Sequence, residues 1–115
     1  MKKIKYTPDA ADKLREIKKD ITERYGADNS RKILKTITDA INELSVYEKK
    51  GPAISDLFDV DTDYRYIYTS RNYVFYRIDD DCIRVIHLYN EKEDFMWKLF
   101  RIDTTPQETI DYWDD

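Results

Sequence analysis

The sequence holds one cysteine, one histidine, two glycines and three prolines in 115 residues. A lone cysteine closes no internal disulfide. With one Cys and one His, the ligand spacings of a zinc site are absent as well. So few Gly and Pro argue against a disordered chain and against a turn-rich sandwich. No apolar run approaches the roughly 20 residues that a membrane span needs. Behind Met1-Lys2-Lys3-Ile4-Lys5 there is no apolar core of a secretory signal. The expectation is a cytoplasmic protein with no membrane contact, no metal and no cofactor.

What is present is charge and aromatic surface. The formal net charge is -4, unevenly spread. Residues 1–50 carry 13 Lys/Arg against 9 Asp/Glu, a balance of +4, and residues 51–115 carry 7 against 15, a balance of -8. A protein that grips nucleic acid by its phosphates normally shows a basic face. An acidic second half therefore predicts weak direct binding to RNA or DNA. Ten of the aromatic residues are tyrosines, which suits a sheet with one face packed and the other presented to a partner.

The order of elements is legible from periodicity. Lys3 to Tyr6 reads as a short strand. Thr7 is placed to cap a helix, with Pro8 at its first position, where a missing N–H costs nothing. Ala10, Leu14, Ile17, Ile21 and Tyr25 recur at steps of three or four and mark one apolar stripe. Gly26 supplies the stop. Asp28, Asn29 and Ser30 offer the next cap, and Ile33, Ile37, Ala40, Ile41 and Leu44 form a second stripe that Gly51-Pro52 ends. Two such helices in sequence make a hairpin, and their stripes need a sheet to cover. A loop follows, with a short strand at Leu57-Phe58. Three strands come next, over 64–70, 73–79 and 83–89, with the first turn at Arg71-Asn72. On the middle strand Val74, Tyr76 and Ile78 should face the helices, and Tyr73, Phe75 and Arg77 should face away. The turn Asp79-Asp80-Asp81 lacks the ligand spacing of a calcium loop and reads as a device against edge pairing. Residues 95–100 suggest a last helical turn or two, and 105–113 a short acidic helix. Trp97 and Trp113 read as packing elements.

Tyr64-Arg65 at the head of one strand, followed by Asn72-Tyr-Val-Phe-Tyr-Arg-Ile78 and an acidic turn, resembles the RelE/ParE toxin superfamily. The opening Ile4-Lys-Tyr-Thr-Pro-Asp-Ala10 and the segment His87-Leu-Tyr-Asn-Glu-Lys-Glu-Asp-Phe95 are similar to the family's start and its last strand. The resemblance implies an α+β fold: an N-terminal helical hairpin packed on a small antiparallel sheet. It covers residues 1–101 as a toxin domain and leaves 102–115 as an acidic C-terminal extension without a counterpart. The family's last strand usually carries an Arg where this chain has Ile86, and Arg where it has Glu91-Lys92-Glu93. RelE-type ribonucleases also place an Arg near the position of Tyr73. Much of the ribonuclease branch's basic site is therefore missing.

The resemblance implies the toxin component of a type II toxin–antitoxin pair, with a small antitoxin as partner. Three activities follow. A ParE-like toxin would bind a target such as DNA gyrase. A non-toxic protein-binding module would keep the fold alone. A RelE-like, ribosome-dependent and metal-independent endoribonuclease would use His87 and Tyr89 as acid and base and Lys92 for charge. Partner-binding candidates are Arg65, Arg71, Tyr73, Phe75 and Arg77, because aromatic residues beside Arg make interface anchors. For the three arginines the plainer reading is pairing with Asp61, Asp63 and Asp79; for His87 it is packing or solvation. A homodimer stays open.

Overall fold

In the computed structural model, residues 1–93 are described; the expected helices at 95–100 and 105–113, with Trp97 and Trp113, lie outside them. Strand β1, Lys3–Tyr6, runs directly into helix α1, Pro8–Asn42. Thr7 makes that junction. Its extended backbone lets the hydroxyl accept the Ala10 N–H at 3.1 Å, and the same hydroxyl donates to the Ile86 carbonyl at 2.7 Å. One side chain thus caps the helix and ties it to the sheet.

Gly26 breaks α1 into two arms. Its φ of 84° and ψ of 167° are the only non-helical values inside the element, and such a φ favours glycine. The hydroxyls of Thr22 and Ser30 lie 2.7 Å apart. On a continuous helix eight residues would separate them by about 12 Å, so the second arm folds back on the first. The expected hairpin is present, but its turn is tighter than expected. Gly26 absorbs the reversal alone, so Asp28, Asn29 and Ser30 are helical rather than a separate cap. Asp28 instead pairs with Arg31, and the Asn29 amide donates to the Tyr25 carbonyl at 3.0 Å. The second arm also ends earlier than Gly51-Pro52. It stops at Asn42 and tightens into a 3-10 turn over Glu43–Ser45, which leaves Tyr47 exposed.

The sheet contains β2, Arg65–Thr69, β3, Asn72–Ile78, and β4, Cys82–Asn90, in the order β1-β4-β3-β2. The meander β2-β3-β4 is antiparallel as expected, and β1 adds to it in parallel along β4. The sheet is therefore mixed, because the helical hairpin carries the chain back to start its next strand in the same sense. The β2–β3 turn is Ser70-Arg71, one residue earlier than expected, since Thr69 pairs with Asn72. Asn72 is a buried strand residue whose amide donates to the Ser70 carbonyl at 2.8 Å. Leu57-Phe58 forms no strand. A single helical turn, α2, Ile54–Leu57, takes that place and seats Ile54 on the sheet.

The core lies between the hairpin and one face of the sheet. Ala10, Ile17, Ile37, Ile41 and Leu44 meet Ile67, Val74, Tyr76, Ile83, Val85 and Leu88. Val74 and Tyr76 thus face the helices, and Ile78 packs at the margin. The Tyr76 hydroxyl is satisfied inside this core. It donates to the Glu48 carbonyl at 2.7 Å and accepts the Gly51 N–H at 3.1 Å. Gly51 is obligatory for contact reasons, since a Cβ there would stand 2.0 Å from the Tyr66 carbonyl oxygen.

Candidate functional site

The outer face of the sheet, away from the helices, carries most of the candidate residues. Strand alternation and register set them in rows. Arg77 pairs with Arg84, Phe75 with His87, and Tyr73 with Tyr89; across β2, Tyr66 pairs with Phe75 and Tyr68 with Tyr73. A register shift between Phe75 and Tyr76 leaves Ile86 as the extra residue of β4. That bulge keeps Val85 and Leu88 on the core side while returning His87 and Tyr89 to the outer side.

Tyr73 and Phe75 face away from the helices as expected, but Phe75 is not exposed. It is buried with Ile54 and Tyr89, and Tyr64, Tyr66 and Tyr73 pack around them. Ring centroids of Phe75 and Tyr89 stand 5.9 Å apart in an edge-on arrangement, a geometry aromatic quadrupoles favour. Ile54 reached this cluster from a segment that sequence reading left as loop. Its only signal there was an isolated apolar residue after Gly51-Pro52.

Arg77 and Arg84 are like charges directly opposite each other, an unfavourable cross-strand pair. Asp79 resolves it. Its two carboxylate oxygens accept Nε of Arg77 and Nε of Arg84, each at 2.9 Å. Those two hydrogen bonds, Arg77's first, hold the Asp79 carboxyl down to about 2. Both guanidinium groups are shifted up in return by the same bonds. Sequence reading anticipated Asp79 beside Arg77 and missed Arg84. The signal was available, because a tight turn at 79–81 sets residues 77 and 84 opposite each other.

The other arginines lie elsewhere. Arg65 donates from Nη1 to the Gly51 carbonyl at 2.8 Å, which anchors the loop before α2. Arg71 is exposed at the β2–β3 turn. Arg65, Arg71 and Arg77 therefore do not converge on one surface.

The structure brings His87 and Tyr89 together and leaves Lys92 apart. The two rings stack, with centroids 4.2 Å apart and planes 6° from parallel. His87 Nδ1 lies 2.8 Å from the Leu88 carbonyl. A carbonyl oxygen only accepts, so that contact places a proton on Nδ1 and leaves Nε2 as the acceptor of a neutral ring. Around the stack is a cleft of about 350 Å³ lined by Asp9, Asp12, Lys13, Glu16 and Glu93. Among the described lining residues the one cation is Lys13, which is bound to Glu93 at 3.1 Å. Asp9, Asp12 and Glu16 sit more than seventy positions before His87 in sequence, so no local pattern announces them. Lys92 lines a different groove, of about 940 Å³, between the first helical arm and the β2–β3 turn, together with Arg24, Arg71 and Glu91.

Among the described residues, no group of His, Cys, Asp and Glu is gathered to hold a metal ion. No described helix is long and apolar enough to cross a membrane.

The chain is similar to a solved structure titled "Chromosomal ParDE TA system from P. aeruginosa". The match has a TM-score of 0.64 at 16% identity and covers 78% of this chain and 96% of that one; it speaks to the fold. No curated protein sequence matches. The family profile described as "ParE toxin of type II toxin-antitoxin system, parDE" matches residues 4–95, most of the chain. On that match the chain belongs to the ParE toxin family.

Proposed function

We propose that this protein is the toxin half of a type II toxin–antitoxin pair and acts by binding its target rather than by cleaving RNA. DNA gyrase is the target the family resemblance implies, and a small antitoxin is the partner. The observation that carries the reading is the charge around His87 and Tyr89. An RNA-cleaving site must hold a phosphate and stabilise the charge that grows on it, which calls for Arg or Lys aimed at the reacting group. Here Asp9, Asp12, Glu16 and Glu93 line the cleft, and Lys13 is already paired. Ile86 and Tyr73 stand where the resemblance places arginines in ribonucleases. A stacked imidazole with a settled tautomer is well packed, but a phosphate approaching it meets carboxylates.

The test is expression of the chain alone in a gyrase-dependent bacterial host, followed by gyrase supercoiling assays and RNA sequencing. Growth arrest with inhibited supercoiling and intact mRNA is expected. His87→Ala should keep that arrest. Ribosome-dependent mRNA cleavage that disappears in His87→Ala would replace this reading with the ribonuclease one. Expression without any arrest would favour a non-toxic binding module.

A further inference from the structure

Tyr25 sits at the hairpin turn, and the Tyr68 hydroxyl donates to Glu91. The other exposed large apolar side chains among the described residues fall into two groups, Met1 with Val46 and Tyr47, and Leu57 with Phe58. The groups lie at opposite edges of the sheet, and their charged rims have opposite signs. The first sits at the β1 edge. The Lys2 N–H donates to the Ser45 carbonyl at 3.3 Å and Lys2 Nζ lies 2.9 Å from Glu48, so the start of the chain is tied to the segment after the second arm. Lys3 and Lys5 on β1, and Lys49 beside Glu48, are exposed and make no ion pair among the described residues.

The second group sits at the β2 edge, in the segment 55–63 that takes in the end of α2. The Ile54 N–H donates to the Tyr64 carbonyl at 3.0 Å, and Ala53 bridges Arg65 of β2, so the segment closes on a narrow neck. Inside it the Phe58 N–H donates to the Ile54 carbonyl at 2.9 Å and the Val60 N–H to the Phe58 carbonyl at 2.8 Å. The segment holds four aspartates and no Lys or Arg. Asp63 acts on Arg77, while Asp56, Asp59 and Asp61 are exposed and make no ion pair among the described residues. Ile54 is 1% exposed and anchors the turn, but Leu57 and Phe58 are 52% and 38% exposed.

The core accounts for neither group, and exposed apolar side chains with polar rims mark contact sites. A lipid surface would serve the basic patch and repel the acidic one. A cationic peptide would serve the acidic patch alone. A second copy of the chain serves both, because each copy carries the complement of both patches. Lys3 and Lys5 also blunt β1 as an edge for strand pairing, so the contact runs through side chains. We propose that two copies of this chain associate through these patches. Leu57 and Phe58 of one copy meet Met1, Val46 and Tyr47 of the other, and Asp56, Asp59 and Asp61 face Lys3, Lys5 and Lys49. A closed pair, in which each copy gives its loop and receives the other's, leaves no open end. Patches this small make a transient, concentration-dependent contact rather than an obligate one. The contact does not depend on what the toxin targets.

Sedimentation equilibrium of the full chain is the test. The mass should rise toward the dimer with concentration, and association should weaken severalfold between low and molar salt. Lys3→Glu with Lys5→Glu, and separately Asp59→Lys with Asp61→Lys, should each be monomeric, because each gives both rims the same sign. Mixed together, these two variants should associate, because acidic rims then meet basic ones. All four positions are exposed, and circular dichroism melting checks that the fold stands. Leu57→Ser should weaken association severalfold with no change in charge. A chain that stays monomeric at millimolar concentration would overturn the proposal. So would association that survives both charge reversals, or reversed variants that ignore each other when mixed. Anionic lipid vesicles that bind the chain through Lys3 and Lys5, with no self-association, would assign the basic patch to a lipid surface, with the same consequence. Masses that grow past the dimer would overturn the closed pair.

Discussion

The two faces of the sheet are built on different physics. The face under the helices is aliphatic, with Ile37, Ile41, Leu44, Val74, Ile83, Val85 and Leu88 all fully buried. The fully buried Tyr76 hydroxyl on that side is both donor and acceptor within the fold. The outer face holds tyrosines, a stacked histidine and a carboxylate shared by two arginines. Burial of aliphatic side chains is non-directional and sums with area. The outer face adds a smaller buried cluster of Ile54, Phe75 and Tyr89 and directed contacts that are specific in geometry. The helix side therefore carries the larger part of the burial, and the polar part of the outer side is where recognition can be written without unfolding the domain.

The sharpest way to break this comparison is a charge on the helix side. Ile37 is 0% exposed in the middle of the second arm. Ile37→Asp places a carboxylate in the buried cluster that includes Val74, Tyr76 and Leu88. The expected cost is about 3 kcal/mol or more, from lost burial plus an unpaired buried charge. Thermal or urea unfolding measures it directly. An unchanged midpoint would mean that the hairpin does not pack as described.

The helix side was the legible one. Steps of three and four at Ala10, Ile17, Ile37 and Ile41, and alternation at Val74 and Tyr76, are local patterns, and they found the core. Gly26 was readable as the break, but its compactness was not, because the Thr22–Ser30 contact that seals it joins residues across the reversal. The parallel seat of β1 and the arrival of Ile54 on the outer face are also long-range facts. The candidate site was legible only in part. His87 and Tyr89 sit together because they alternate on one strand. The carboxylates beside them come from the first helical arm and Glu93, and no spacing rule connects those to His87. Arg84 carries no mark in the local pattern, and only the turn at 79–81, which sets it opposite Arg77, gives it a role.

A smaller test acts on the outer face through pH. Asp79 has its carboxyl lowered from 3.8 to about 2, first by the hydrogen bond from Arg77 and then by that from Arg84. A carboxyl lowered in the folded state contributes stability that is full above its unfolded value and is lost as pH falls through its folded value. The contribution should therefore stand above about pH 4 and fade between there and pH 2. Asp79→Asn should flatten the part of the stability curve that lies in this window. It should also bring Arg77 and Arg84 into uncompensated opposition at every pH. The site lies at the surface, so the effect should be modest beside Ile37→Asp and should shrink in salt. An Asp79→Asn curve superimposable on the wild type from pH 2 to 5 would show that the arginine pair does not need its carboxylate.

The smallest effect is expected where β2 and β3 meet, and it has the opposite sign. Ser70 and Arg71 both have positive φ, 49° and 65°, in a two-residue turn between Thr69 and Asn72. Such hairpin turns favour Asn-Gly or Gly-Gly, because a Cβ strains the left-handed conformation. The position is nonetheless held. Glu91 N–H donates to the Arg71 carbonyl at 2.9 Å, and the Asn72 amide holds the Ser70 carbonyl. Both bonds use backbone acceptors, so Arg71→Gly keeps them while relieving the strain. The gain should be about 0.5 kcal/mol, since glycine also adds entropy to the unfolded chain. Because Arg71 is exposed and lines the groove that holds Lys92, the same variant removes a charge from that groove without disturbing the core. A small rise in melting temperature is the expected result. A fall would mean that the arginine side chain contributes more to the turn than its strained backbone costs, and would move Arg71 from the edge of the outer face into its structural framework.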